Sequence, residues 1–223
     1  MAFKLTILGS NSATPTANRY PTSQVLEFNQ KMYMVDCGEG TQVQLRRNKV
    51  KIQGIKVIFI SHLHGDHYFG LFGLLGTMNL LGRTKPLQIF SSPGLREMVM
   101  LQLKLARSNY EFEIEFVELS HGSSELIYED KVIEVYTIPL VHRIPTNGFL
   151  FKEKEGQRKM NKFYLDELKI PIAKMNDIKN GADFISDNGD IHKNEKITPR
   201  PENLKIFLYT ISCIQNLRIR PKL

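Results

Sequence analysis

Cysteine is scarce in this chain: Cys37 and Cys213 are the only two among 223 residues, and no Cys-x-x-Cys spacing occurs. That argues against a disulfide framework and against a zinc site built from thiolates. No stretch approaches the roughly 18 apolar residues that a membrane-spanning helix needs. Met1–Leu8 carries one lysine and turns polar at once, unlike a secretory signal. A cytoplasmic location is the expectation. There is no internal repeat and no low-complexity tract. Acidic residues are sparse only near the end. Residues 196–223 hold six Lys/Arg against one acid, Glu202, a net of +5, so only +2 of the overall +7 belongs to the first 195 residues. Basicity here is mainly a property of the tail and says little about what the body binds.

What remains has the texture of one globular domain: 42% hydrophobic and 24% charged residues. Phe3–Leu8 reads as a strand, followed by a polar loop from Gly9 to Ser23. Val25–Phe28 and Met32–Val35 read as a hairpin about Asn29-Gln30. Thr41–Asn48 reads as a helix, and Val57–Ile60 as a strand apolar on both faces. Leu71–Leu81 is predicted helical, Leu87–Phe90 a strand, and Pro93-Gly94 opens a helix to about Ala106. The β-branched and aromatic runs from Phe112 to Phe149 predict a second set of strands. From about 151 to 195 the chain is charged and rich in Asn, Asp and Gly, an excursion from the core. Residues from about 197 to 223 form a divergent tail in which Lys205–Tyr209 is a further candidate strand. Mixed helices and strands with two strand-rich stretches predict an α/β protein, an αββα sandwich better than a Rossmann sheet.

The chemistry is concentrated in Ser61-His62-Leu63-His64-Gly65-Asp66-His67, directly after an apolar strand. Alternation along extended backbone points His62 and His64 the same way, so both can reach one ion. A sharp turn at Gly65 would free Asp66 and His67 to face a second ion. Imidazole and carboxylate donors without thiolate suit zinc or another borderline divalent metal. His62 and His64 need a third protein ligand, and His142, after the strand Val132–Leu140, is the candidate; alone it would read as structural. His121 in Ser120-His121-Gly122 reads as a turn residue, and His192 as another non-ligand. Asp36, at a strand end in a Gly-rich turn, has two readings: a turn-former capping nearby amides, or a carboxylate that orients a metal-bound histidine.

His62-x-His64-x-Asp66-His67 resembles the metallo-β-lactamase motif. Leu8–Thr16 with Arg19–Ser23, Asp36–Gln42 and the run Tyr68–Gly73 resemble, more narrowly, the ribonuclease Z family over about residues 1–200. The resemblance implies a four-layer αββα fold, two zinc ions, a homodimer, and hydrolysis of precursor tRNA that removes the 3′ trailer and leaves a 3′-hydroxyl. It places His62, His64 and His142 on one zinc and Asp66 and His67 on the other, with Asp66 also the proton acceptor. The 151–195 excursion would be the arm that grips tRNA, with Lys152, Lys154, Arg158, Lys159 and Lys162 as phosphate contacts. Read without the family, that cluster is a solvated surface, since Glu153, Glu155, Asp166 and Glu167 are interleaved.

The family pattern also requires a late bridging aspartate and distal histidines. This chain has no Asp beyond Asp190 and no His beyond His192. Asp187, in Phe184-Ile185-Ser186-Asp187, resembles the missing motif superficially but reads as a turn. The expectation is therefore a chain incomplete at its carboxyl end, with the second half of the sandwich and the second metal site unfinished and activity impaired or absent. Two alternatives follow: a non-catalytic RNA-binding remnant, or another hydrolase of the superfamily.

Overall fold

The computed structural model of the chain describes residues 3–14, 16–154 and 159–198, with the backbone of 206–209. Arg158, Lys205 and Cys213 lie outside the described residues. The first sheet has six strands in chain order: β1 (Lys4–Gly9), β2 (Ser23–Phe28), β3 (Lys31–Cys37), β4 (Ile55–Phe59), β5 (Leu87–Ser91) and β6 (Ile114–Glu118). β1, β2 and β3 pair antiparallel, whereas β3 through β6 pair parallel. The hairpin between β2 and β3 turns on Asn29 and Gln30, both at positive φ (49° and 63°), as a two-residue type I′ turn requires.

The parallel order follows from helical crossovers. α1 (Thr41–Arg47) joins β3 to β4, α2 (Gly65–Leu80) joins β4 to β5, and α3 (Leu95–Ala106) joins β5 to β6. The α3 crossover corrects one expectation. β6 was expected among the second set of strands, but α3 returns the chain parallel to β5, and β6 becomes the sixth strand of the first sheet.

β4 carries the period-2 logic of a strand buried on both faces. Ile58 and Ile60 point into the cluster shared with Leu45, Leu71, Leu74, Met78, Leu95 and Val99 of the three helices. Phe59 faces the other way, with its ring 5.3 Å from Phe149 and 5.5 Å from Phe151, between centroids. Phe149 and Phe151 belong to the second sheet, whose order is β12–β9–β8–β7: β7 (Leu126–Glu129), β8 (Ile133–Pro139), β9 (Asn147–Glu153) and β12 (Ile206–Tyr209). β12 is the late strand expected at 205–209. Tyr33, Phe59 and Phe90 of the first sheet meet Tyr128, Phe149 and Phe151 of the second in one aromatic seam. Such rings bury large apolar areas and gain further from tilted and edge-on contacts.

α2 ends in a Schellman motif, with Gly82 at φ 72° donating to Asn79 O and Arg83 N donating to Met78 O. The Arg83 side chain then does what no sequence pattern announced. It is buried, and its guanidinium donates to the carbonyls of Lys85, Ile55 and Pro86 at 2.8, 3.0 and 2.8 Å, over the Phe112 ring. Only a planar fork can serve three carbonyls in this way.

Contacts divide the chain into a larger unit, which takes in residues up to Tyr128, Val135–Phe151 and β12 from Phe207, and a smaller one of Glu129–Glu134 and Lys152–Ile206. The smaller unit comprises α4 (Lys162–Glu167), α5 (Ile172–Lys179), the hairpin β10 (Phe184–Ile185) and β11 (Ile191–His192), and α6 (Asn194–Ile197). Ile170, Ile178, Phe184 and Ile197 make its core. Asn194 Nδ2 ties the carbonyls of Ile178 and Ala182 together. Asp187 lies in the β10–β11 turn, closed by Ser186 N to Asp190 O. No described helix is long and apolar enough to cross a membrane.

Two outcomes follow. Arg83→Ala strands three carbonyls in a buried site, and urea unfolding should show a loss of about 3 kcal/mol; a loss under about 1 kcal/mol would mean that water replaces the guanidinium. Cys37 is fully buried at the end of β3, and burial, with the Asp36 charge adding to it, pushes its thiol up to about 12. It is therefore a protonated thiol at neutral pH. Iodoacetamide at pH 8 should leave Cys37 unmodified in the native protein and alkylate it after denaturation, read by peptide mass.

Candidate metal centre

The motif sits where β4 ends. Ile60 N donates to Phe90 O and Asn147 N donates to Ser61 O, so neighbouring strands hold the two residues that lead into the first histidine. The chain stays extended through His64, at φ −84° and ψ 142°, and α2 starts at once. The helix thus begins six residues earlier than the apolar run from Leu71 suggested. Asp66 and His67 lie in its first turn, where an acidic side chain meets the positive end of the helix dipole. Gly65 is not the sharp turn expected of it. It is the first helical residue, and a Cβ there would come within 2.2 Å of the Phe69 ring.

Asp36 organises the cluster. It is fully buried and adopts φ 56°, a left-handed conformation that is unusual outside glycine. Its Oδ1 accepts from Ser61 N at 2.8 Å, and its Oδ2 accepts from Ser61 Oγ at 2.9 Å and from His67 Nδ1 at 2.7 Å. Of the two readings left open for Asp36, the carboxylate that orients a histidine matches this geometry. With its proton given to Asp36, Ser61 Oγ accepts from His62 Nδ1 at 3.1 Å. The network therefore places the protons of His62 and His67 on Nδ1 and leaves both Nε2 atoms as lone pairs.

Ring nitrogens of three histidines converge. His62 Nε2 is 2.9 Å from His64 Nδ1, and His142 Nε2 is 3.3 Å from the same atom. The donor atoms of His62, His64 and His142 all lie within 4.8 Å of one another, a group that could hold a metal ion. Tetrahedral zinc at ~2.0–2.1 Å from nitrogen sets its ligands ~3.3 Å apart, so the spacing fits one ion with a position left over. His67 Nε2 faces Asp66 Oδ2 at 3.4 Å, a second pair of acceptors turned toward each other. No third donor makes a group with that pair among the described residues.

Electrostatics favour the ligand form of His62 and His64. Burial, with His67 beside it, pushes His62 down to about 3. Burial and the neighbouring His142 and Arg143 lower His64. Neutral imidazole is the form a metal binds. Burial also acts to lower His67, but the charge and hydrogen bond of Asp36 outweigh it and raise that pKa.

The pocket over these groups, of about 510 Å³, is lined by the triad with Ser12, Ala13, Glu39, Asp66, His67 and Arg143. Three participants had no role assigned from sequence. Ser61 bridges Asp36 to both buried histidines. Arg143 brings Nη2 to 3.4 Å from His64 Nε2, and Asn147 joins Ser61 O to Ser120 O. A buried hydroxyl directly before the histidines was the available signal for Ser61. His121 pairs with Asn147 Nδ2, and His192 lies on the Phe184 ring, so neither joins the triad. Of the arm cations, Lys152 and Lys154 are paired with Glu134 and Glu129, while Lys159 and Lys162 are exposed.

The family model described as Anti-Pycsar protein Apyc1 matches residues 3–155. Ribonuclease Z of Bacteroides thetaiotaomicron is 45% identical over 212 residues, covering 95% of this chain and 67% of the relative. That of Cytophaga hutchinsonii is 47% identical over 191 residues, covering 86% and 61%. The crystal structure of human tRNase Z, short form (ELAC1), superposes with a TM-score of 0.63 at 29% identity, over 74% of this chain and 82% of that one. The metallo-β-lactamase fold protein YhfI from Bacillus subtilis, at TM-score 0.52 and 14% identity over 74% and 67% of the two chains, shares the fold alone. The chain spans 61–70% of the length of the curated relatives it matches. By residues 3–155 the chain belongs to the Anti-Pycsar Apyc1 family, and over nearly its whole length it belongs to the ribonuclease Z family of the metallo-β-lactamase fold.

Proposed function

We propose that this chain is a zinc-dependent endoribonuclease of the ribonuclease Z type, acting on the 3′ end of precursor tRNA. The observation that carries the reading is the convergence of His62, His64 and His142 on one point at the end of β4, with Asp66 and His67 beside it. His62, His64 and His142 hold one ion, and Asp66 and His67 contribute to a second. Bound ions of this kind supply Lewis acidity toward a phosphodiester and make a water nucleophile available at neutral pH.

The side chains divide the remaining work. Asp36 and Ser61 fix the rings of His62 and His67 by their Nδ1 atoms, so each presents Nε2 to the pocket. Asp66, in the first helical turn and lining the pocket, would accept the proton of the attacking water. Arg143, which lines the pocket beside His64, would supply positive charge to a phosphate bound there. Lys159 and Lys162, with Arg158, supply phosphate contacts in the arm; Lys152 and Lys154 would have to leave Glu134 and Glu129, partly exposed pairs whose rupture costs little. A homodimer in the cytoplasm completes the proposal.

A second reading has one observation in its favour: among the described residues, Asp66 and His67 form no three-donor group. On that reading the chain binds precursor tRNA without cleaving it. A precursor tRNA with a 3′ trailer, incubated with the zinc-loaded chain, separates the two. Release of the trailer with a 3′-hydroxyl on the tRNA supports the endonuclease. Salt-sensitive binding with no product, even in excess zinc, supports the binding module.

Zinc should raise the melting temperature of metal-free protein, and His64→Ala should abolish that rise; no shift in the wild type would remove the metal assignment. Asp36→Asn keeps the shape but releases the Nδ1 atoms. Zinc affinity by chelator competition should fall by about 10–100-fold, and an unchanged affinity would confine Asp36 to a purely structural role.

A further inference from the structure

A second cavity, of about 280 Å³, opens near the start of the chain, where Ser10, Arg19, Tyr20, Gln44 and Arg47 carry its polar groups and no acidic side chain lines it. No residue lines both this cavity and the metal pocket, but neighbouring stretches of the same segments do. The loop after β1 gives Ser10 to the cavity and Ser12 and Ala13 to the metal pocket, and the segment at the start of α1 gives Glu39 to the pocket and Gln44 and Arg47 to the cavity. Ser10 and Ser12 are two residues apart, at most ~7 Å of backbone.

The cavity is built rather than incidental. Gln44 is 9% exposed, and its Nε2 is buried without a hydrogen-bond partner. A buried donor in that state calls for an acceptor that binds there. Arg47 is exposed but oriented: Nη1 donates to Tyr20 Oη at 3.0 Å, and the guanidinium lies 5.9 Å from the Tyr20 ring centroid. The Tyr20 ring is itself seated on Gly40, where a Cβ would come within 2.6 Å of it. Arg19 enters from the same loop, held by Thr16 through Thr16 Oγ1 and the Thr16–Arg19 bridge. Neither guanidinium has a carboxylate partner among the described residues. Two arginines, an unpaired amide and hydroxyls make a donor set for a phosphate group. The volume is small for a whole ligand, which suits one phosphate of a longer strand.

We propose that this cavity binds a backbone phosphate of the RNA strand that also enters the metal pocket. The assignment of the strand rests on the RNA-cleaving reading; the phosphate site itself rests on the cavity. The loop between Gly9 and Tyr20 is then a divider, with the reacting phosphate on one side and a neighbouring phosphate on the other. The cavity fixes the register of the strand at the metal centre.

Two titrations of the full chain test this. In the first, inorganic phosphate is added to ¹⁵N-labelled, metal-free protein, and the Gln44 side-chain amide and Arg47 Nε–H signals are followed. A saturable shift at both is expected in the wild type, and the Gln44 shift should be lost in Arg47→Gln at an unchanged melting temperature. Shifts that never saturate, or a Gln44 shift that persists in the variant, overturn the site. In the second, binding of a precursor tRNA is measured against salt concentration. Arg19→Gln/Arg47→Gln should bind roughly tenfold more weakly, with the salt slope shallower by about one. An unchanged affinity and slope beside a saturable phosphate shift overturn the RNA strand as the ligand and leave free phosphate or a nucleotide. No binding of precursor tRNA by the wild type overturns the RNA reading of the whole chain, and the strand assignment with it, while the phosphate titration still decides the cavity.

Discussion

The structure depends on one buried carboxylate. Asp36 leaves β3 in a left-handed backbone conformation and gives both oxygens to partners 25 and 31 residues further on, Ser61 and His67. A charge so deeply buried is tolerable only when its hydrogen bonds are complete. Here they are completed by the backbone at the end of β4, a hydroxyl, and an imidazole in the first turn of α2. The same three bonds that make the carboxylate affordable also set which nitrogen of each buried histidine is free. Structural need and chemical orientation are thus met by one group.

Around that point the sandwich acts as a rigid mount. β4 is buried by helices on one face and by the aromatic seam on the other, so its end has little freedom. His62 and His64 continue the strand's alternation past its last hydrogen bonds, and His142 comes in from the loop between β8 and β9. Asn147, one strand-start later, pins Ser61 through the backbone. Two sheets therefore contribute to one triad, and its geometry depends on how they pack. Arg83 stabilises the same sheet from the far end of α2 by closing the carbonyls around the start of β4 and the approach to β5.

Much of this was legible in the residues, for physical reasons that also mark the limits. That His62 and His64 come together was readable because alternation on extended backbone is local, as was the hairpin at Asn29-Gln30. The apolar run of β4 told of burial on both faces. Asp36 stayed ambiguous because both its partners are distant in sequence. Gly65 was misread since a glycine beside charged residues suggests a turn, and nothing local reveals that the Phe69 ring occupies the space of its Cβ. The start of α2 was placed late because its first turn is polar, and polar residues there serve the site rather than the core. β6 was assigned to the wrong sheet because strand pairing is set by the α3 crossover, not by composition. Arg83, Tyr20, Gln44 and Arg47 were passed over altogether, as each gains its meaning from groups supplied by other elements.

The central claim is that His62, His64 and His142 form a single metal site at the junction of the two sheets. Anomalous diffraction at the zinc absorption edge, from crystals of zinc-reconstituted protein, tests it most directly. The account predicts a peak with all three side chains bonded at ~2.0–2.1 Å. A peak elsewhere, or one that omits His142, would contradict it.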